Sequence, residues 1–184
     1  MITSSGAWRG RSKQYHDDKL SISIIHILKN KKALSCFDFG CGDGFYSKTI
    51  IDNNIPCIGY DGNISLLEHA DNNCVLKIMD LTTPHNDISD WILCLEVGEH
   101  IPKEYEKTFI YNLKNCCVSG LIISWAIPNQ GGIGHVNEQS NEYVKKILTP
   151  EFEIDIESTN YLRSNSTLRW FKNTIMVFDK TKDT

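Results

Sequence analysis

The stretch that most constrains this chain is Phe37-Asp38-Phe39-Gly40-Cys41-Gly42-Asp43-Gly44. Its approach, Ala33-Leu34-Ser35-Cys36, is short and mostly apolar, as a buried parallel strand is. Phe45-Tyr46-Ser47-Lys48-Thr49-Ile50-Ile51 follows and reads as a helix. Strand, glycine-rich turn and helix together lay a ligand against backbone N–H groups at a helix N-terminus. Glycines at alternate positions allow unusual φ and clear the side chains that would block close approach. The spacing is Gly-x-Gly-x-Gly, so the third glycine falls one residue early for the dinucleotide fingerprint Gly-x-Gly-x-x-Gly.

Acidic residues accompany the turn. Asp38 lies two positions before the first glycine, and Asp61 closes the apolar run Ile55-Pro56-Cys57-Ile58-Gly59-Tyr60. Asp80 closes Val75-Leu76-Lys77-Ile78-Met79. A carboxylate at the tip of a second strand accepts from both hydroxyls of a ribose diol.

The rest of the chain alternates in the same way. Asp17 to Lys32 reads as a helix, with Leu20, Ile24, Ile27 and Leu28 on one face and Lys29, Lys31 and Lys32 late, where the macrodipole favours cations. Strands are expected at 34–39, 55–60, 74–79, Trp91–Leu95 and Leu121–Trp125, with helices at 45–53, Ile64–Ala70, Pro102–Asn115 and Glu138–Leu148 between and after them. Phe152–Glu157 and Thr174–Phe178 read as two last strands with no long helix between them, which suits an antiparallel hairpin at the sheet edge. The expected architecture is α/β, a doubly wound, mostly parallel seven-stranded sheet with an antiparallel C-terminal edge strand. With 184 residues, 41% of them hydrophobic, one well-filled domain spanning 1–184 is expected. Residues 1–32 then form an N-terminal segment and helix that serve as a lid. Trp8 in that segment wants burial.

Composition narrows the partners. A net charge of −4 argues against a broad basic face for nucleic acid, so a small-molecule acceptor is expected ahead of RNA. No apolar run reaches the length of a membrane span, and Met1 to Gly10 is too polar for a secretory leader. Seven cysteines with no Cys-x-x-Cys pair read as reduced, buried thiols of a cytoplasmic protein, not as a zinc site or a disulfide framework.

Ligands of an open α/β sheet bind beyond the carboxyl ends of the strands. Two further strand ends point there: Leu95-Glu96-Val97-Gly98-Glu99-His100-Ile101-Pro102 and Trp125-Ala126-Ile127-Pro128-Asn129, the latter running into Gln130-Gly131-Gly132-Ile133-Gly134-His135. They gather Glu96, Glu99, His100 and His135 at one mouth. An imidazole titrates near neutrality and suits removal of a hydroxyl proton, so His100 or His135, with Glu99, is the expected catalytic group. Trp125 and Asn129 are expected to shape the acceptor pocket.

Three neighbouring strand ends each closed by an acid resemble the cofactor site of the class I S-adenosylmethionine-dependent methyltransferases. The resemblance spans roughly Leu34 to Pro128 and implies S-adenosylmethionine as cofactor. It implies that Gly40, Cys41 and Gly42 with Asp38 hold the methionine part, that Asp61 and Gly62 hold the ribose, and that Asp80 and Leu81 meet the adenine. Tyr15 or His16 before the first helix is implied for the cofactor carboxylate, and Glu96 for a further cofactor contact. The implied reaction is methyl transfer; the acidic chain and its short insertions make a small polar acceptor such as a sugar the expected one. Glu96, Glu99 and His100 also resemble the Glu-x-x-Glu-His segment of the small-RNA 3′-terminal 2′-O-methyltransferases. That resemblance implies a divalent metal held with His135, although the setting of His135 departs from that family's motif. A cofactor-holding module without turnover is the third alternative.

Overall fold

The computed structural model describes residues 3–10, 14–65 and 75–181. A seven-stranded sheet has the order β3-β2-β1-β4-β5-β7-β6. Its strands are β1 (Cys36–Phe39), β2 (Cys57–Asp61), β3 (Leu76–Ile78), β4 (Ser89–Leu95), β5 (Cys117–Ser124), β6 (Phe152–Ile154) and β7 (Met176–Lys180). β1 to β5 are parallel, while β7 runs antiparallel to both β5 and β6. The chain reverses its direction of travel across the sheet at β1 and β4, which opens a crevice there.

Strand residues alternate between two cores. Ile92 and Cys94 of β4, Leu121 and Ile123 of β5, and Met176 and Phe178 of β7 face α3 (Glu106–Asn115) and α4 (Asn141–Leu148). Trp91 and Leu93, Ile122 and Val177 face the other side, against α1 (Asp18–Asn30) and α2 (Phe45–Asp52). α1 presents Leu20, Ile24, Ile27 and Leu28 to that core, the face its spacing predicts.

The C-terminal part departs from expectation. β6 ends at Ile154, and two helices, α5 (Ile156–Asn165) and α6 (Arg169–Thr174), lie between it and β7. Asp155 caps α5 by accepting the Ser158 N–H at 2.9 Å. The residues expected to extend the first strand of a hairpin therefore start a helix, and Thr174, expected in the last strand, ends one. α4 starts at Asn141 under a Ser140 cap, not at Glu138. Of the helix expected at Ile64–Ala70, only Ile64 and Ser65 are among the described residues.

Candidate active site

The glycine turn leaves β1 with φ of +75° at Gly40, +57° at Gly42 and +82° at Gly44, the left-handed region that side chains disfavour. Its backbone groups are spent within the protein. Gly40 and Cys41 donate their N–H groups to the Tyr60 carbonyl at 2.7 and 3.0 Å. Gly42 donates to Asp61 Oδ2 at 3.0 Å, and Gly44 to the Cys41 carbonyl. These residues therefore shape the crevice and tie β1 to β2. Asp38 is buried on the helix side of the sheet and accepts the Ser47 hydroxyl at 2.6 Å, bracing α2. Burial, with Asp61 and Asp43 nearby, pushes its pKa up to about 7 despite that hydrogen bond.

Asp61 stands at the tip of β2, half-buried, with one backbone N–H on each oxygen, from Gly42 and from Asn63. A carboxylate has lone pairs to spare after two such bonds. Asp80 is exposed beyond β3 and folds its carboxylate onto Thr82, while Leu81 is buried. Asp38, Asp61 and Asp80 thus stand at or beyond the carboxyl ends of three adjacent strands.

The N-terminal segment straps across this mouth. Gly6 lies against the His100 carbonyl, Ala7 against Gly62, and Trp8 meets the His100 ring edge-on with centroids 5.9 Å apart. Asn63 donates to the Gly10 carbonyl at 2.9 Å. Beneath the strap a cavity of about 420 Å³ is lined by Trp8, Arg9, Gly62 and Asn63. Of the pair before α1, His16 stacks on Phe45 and bonds Asp43 of the glycine turn. Tyr15 packs edge-on against Trp170.

Beyond β4 a 3-10 turn, Gly98–His100, brings Glu99 and His100 against His135 of the loop after β5. One ligand atom from each of these three lies within 4.8 Å of the others. Glu99 is fully buried, and neither of its oxygens has a hydrogen-bond partner among the described residues. Burial, with the charge of Glu96 next, holds its pKa well above the usual carboxylate range. The two histidines are oriented alike. His100 Nδ1 lies 3.1 Å from the Gly134 carbonyl, and His135 Nδ1 lies 2.9 Å from Glu138 Oε1. A carbonyl can only accept, and an ionised carboxylate likewise, so Nδ1 carries the proton in both rings and Nε2 keeps its lone pair. His135 Nε2 then faces Glu99 Oε1 at 4.0 Å. Burial holds the His100 pKa below its ordinary value, which keeps the ring neutral.

Glu96 flanks this trio, close enough for its charge to act on Glu99. It has φ +53°, and its carboxylate accepts from Gln130 at 2.7 Å and Thr174 at 3.3 Å. Trp125, expected at the acceptor pocket, is fully buried, packs on Phe109 and Gly98, and donates its indole N–H to the Asn137 carbonyl at 2.6 Å. It is core. Asn129 does line a cavity, with Gln130, Arg169, Trp170 and Asn173. Residues missing from the expected set include Glu138, which holds His135 and also accepts the Asn129 and Gly131 N–H groups. Thr174, which with Gln130 holds Glu96, is absent from it too.

This topology recurs in solved structures. The chain is similar to magnesium protoporphyrin IX methyltransferase (ChlM) from Synechocystis PCC 6803 with bound SAH, at TM-score 0.68 and 19% identity over 88% of this chain and 82% of that one. The fold is that of the class I S-adenosylmethionine-dependent methyltransferases. The methyltransferase domain of bacterial CtHen1-C matches at TM-score 0.67 and 17% identity, covering 89% of this chain and 98% of that one. An S-adenosylmethionine-dependent methyltransferase from Clostridium acetobutylicum ATCC 824 matches at 0.66 and 15%, covering 92% and 94%. No protein-family model and no curated protein matches the sequence. The residues of this methyltransferase fold suit a sulfonium nucleoside: a carboxylate with spare lone pairs ends β2, and the cavity that starts at the next residue is of nucleoside size.

Proposed function

We propose that the protein transfers a methyl group from S-adenosylmethionine to a hydroxyl of a small polar acceptor beside Glu99, His100 and His135. The observation that carries this reading is the buried Glu99 carboxylate, unpartnered on both oxygens, with two imidazoles turned to keep their Nε2 lone pairs. The cofactor supplies a methyl on a sulfonium, a leaving group already activated. Asp61 and the cavity beside Gly62 hold its nucleoside end, and Asp80 and Leu81 border the adenine. The protein's remaining task is to align the acceptor and take up its proton. His100, neutral through burial, or His135, fixed by Glu138, accepts that proton at Nε2. Glu99 stabilises the imidazolium that results.

A second reading is favoured by the unpartnered Glu99 oxygens in particular. The Nε2 atoms of His100 and His135, with Glu99 once ionised, are ligands of the kind that hold a divalent cation. Glu96, oriented by Gln130 and Thr174, adds a further carboxylate beside that set. A bound cation would supply Lewis-acid charge that orients paired hydroxyls, as in a sugar or an RNA 3′ ribose.

The test is calorimetry with S-adenosylmethionine and SAH, followed by methyl-transfer assays over sugars, nucleosides, nucleotides and RNA ends, with and without chelator. Binding is expected to weaken at least tenfold in Asp61→Ala. Full activity in chelator would remove the cation, and cofactor binding with no transfer to any acceptor would leave a cofactor-holding module.

A further inference from the structure

Next to the cluster lies a cavity of about 320 Å³ that the reaction described so far leaves without a ligand. Its wall toward Glu99 is built by Gln130, whose side-chain amide donates to Glu96 at 2.7 Å, and by Asn173, whose neighbour Thr174 bonds the other Glu96 oxygen. Gln130 and then Glu96 link a molecule seated there to Glu99.

The lining specifies the occupant. Trp170 is half-buried, and its ring is held from two directions, edge-on by Tyr15 at 5.7 Å and by Phe171 at 5.9 Å. A large aromatic face fixed in this way stacks a planar ring with little further loss of side-chain freedom. Arg169 is exposed at the rim and makes no ion pair among the described residues. A free guanidinium there matches one phosphate or carboxylate. Asn129 and Asn173 offer amides, which both donate and accept, to the polar edge of a heterocycle. The volume sits at the low end for ligand pockets, enough for one nucleoside. A net charge of −4 works against a long polyanion, whereas a single anion needs only the one arginine.

We propose that this cavity is the acceptor's seat and that the acceptor is a nucleoside monophosphate or a molecule of the same build, a planar ring and one anionic group joined by a hydroxyl-bearing unit. Trp170 stacks the ring, Arg169 pairs with the anion, and the sugar hydroxyls reach past Gln130 to the cluster. The assignment rests on the methyl-transfer reading above.

The experiment titrates the full chain, saturated with SAH so that the cofactor cleft is filled, with the four common nucleoside 5′-monophosphates, with the matching nucleosides and with ribose 5-phosphate. Calorimetry and tryptophan fluorescence report binding. At least one nucleotide is expected to bind saturably and quench fluorescence. Ribose 5-phosphate and the nucleoside should each bind at least tenfold more weakly. Trp170→Ala should lose at least tenfold and Trp170→Phe, which keeps a ring, much less. Arg169→Gln, an exposed change, should erase the preference for nucleotide over nucleoside. No saturable nucleotide binding, or affinity unchanged in both Trp170→Ala and Arg169→Gln, overturns the assignment. A short RNA binding a hundredfold tighter than any mononucleotide overturns the single-nucleotide occupant. SAH affinity, measured first, reports on the methyl-transfer reading by itself: if SAH binds and no nucleotide does, the cavity assignment alone falls.

Discussion

Glu99 is the residue on which fold and function pull in opposite directions. A buried carboxylate with no partner costs stability, and proteins keep such groups where chemistry requires them. Glu99→Gln places an amide where it can donate to an imidazole Nε2, so the variant should be more stable by about 1–2 kcal/mol. For a chain of this size that is a rise in melting temperature of roughly 2–8 °C, read by a thermal scan in chelator. The same variant should lose at least a hundredfold in methyl transfer. A variant that melts lower than wild type would mean the carboxylate is satisfied after all. Asp38 gives a different prediction. Its pKa is pushed up to about 7 in the fold against about 3.8 for an ordinary aspartate, so between those values the folded state binds more protons than the unfolded. The contribution of Asp38 to the stability of the cofactor-free protein should therefore be full below about pH 4 and fall as pH rises toward 7. The loss is on the order of a few kcal/mol, since a tenfold change in proton affinity is worth about 1.4 kcal/mol. Asp38→Asn, which still accepts from Ser47, should show little of that decline in urea unfolding at pH 5 and pH 8. An equal decline in both proteins would assign it elsewhere.

At the scale of elements, the N-terminal strap is held by contact and not by secondary structure. A Cβ on Gly6 would sit 2.0 Å from the His100 carbonyl oxygen, with φ at +87°, so nothing larger than glycine fits while the strap lies down. Gly6→Ala should lift the segment from His100 while the sheet stays intact. The expected result is faster protease cleavage before residue 14, altered Trp8 fluorescence and several-fold weaker S-adenosylmethionine binding, with a melting temperature within about 2 °C of wild type, because loops carry little of the global stability. Unchanged proteolysis and cofactor affinity would show that the strap does not cover the cleft. The sequence announces some elements and conceals others for physical reasons. The glycine turn and the strand-end acids are legible because identity and spacing alone set their geometry. α5 was hidden: Ser158, Thr159, Asn160, Ser164 and Asn165 are poor helix formers, and only Leu162 supplies a large fully buried apolar side chain. Its Asp155 cap was the available signal. Trp125 was legible after all, because Leu121, Ile123 and Trp125 continue one period-two face into the core.

Across the whole molecule, the parts of the site that stayed illegible are those built by distant segments meeting. Trp170 and Thr174 reach the mouth only because α6 is inserted ahead of β7, and Glu138 reaches His135 only because its loop folds back. One carboxylate does much of that joining. Asp17 is buried; its Oδ1 accepts from Leu20 to cap α1, and its Oδ2 accepts from Thr167 at 2.6 Å and Leu168 at 2.9 Å, about 150 positions away. At its other end α1 is tied to the same region by Lys31, which bonds Asp155 at 2.8 Å and Asp179 at 2.6 Å. Burial alone would raise the Asp17 pKa, but the three N–H groups outweigh it and hold the value below the usual one. Its stabilising contribution is then present at neutral pH and is lost as pH falls through that lowered value. Asp17→Ala leaves three buried donors without an acceptor, at a cost of about 2–4 kcal/mol in urea unfolding at pH 7. Asp17→Asn keeps acceptor capacity on one oxygen only and should fall between the two. Because Leu168 directly precedes α6, Asp17→Ala should also loosen Trp170, and the fluorescence response of that ring to nucleotide should weaken with it. A loss below about 0.5 kcal/mol, within the range of ordinary surface substitutions, would mean that the two ends of the chain are joined by the apolar core and not by this carboxylate.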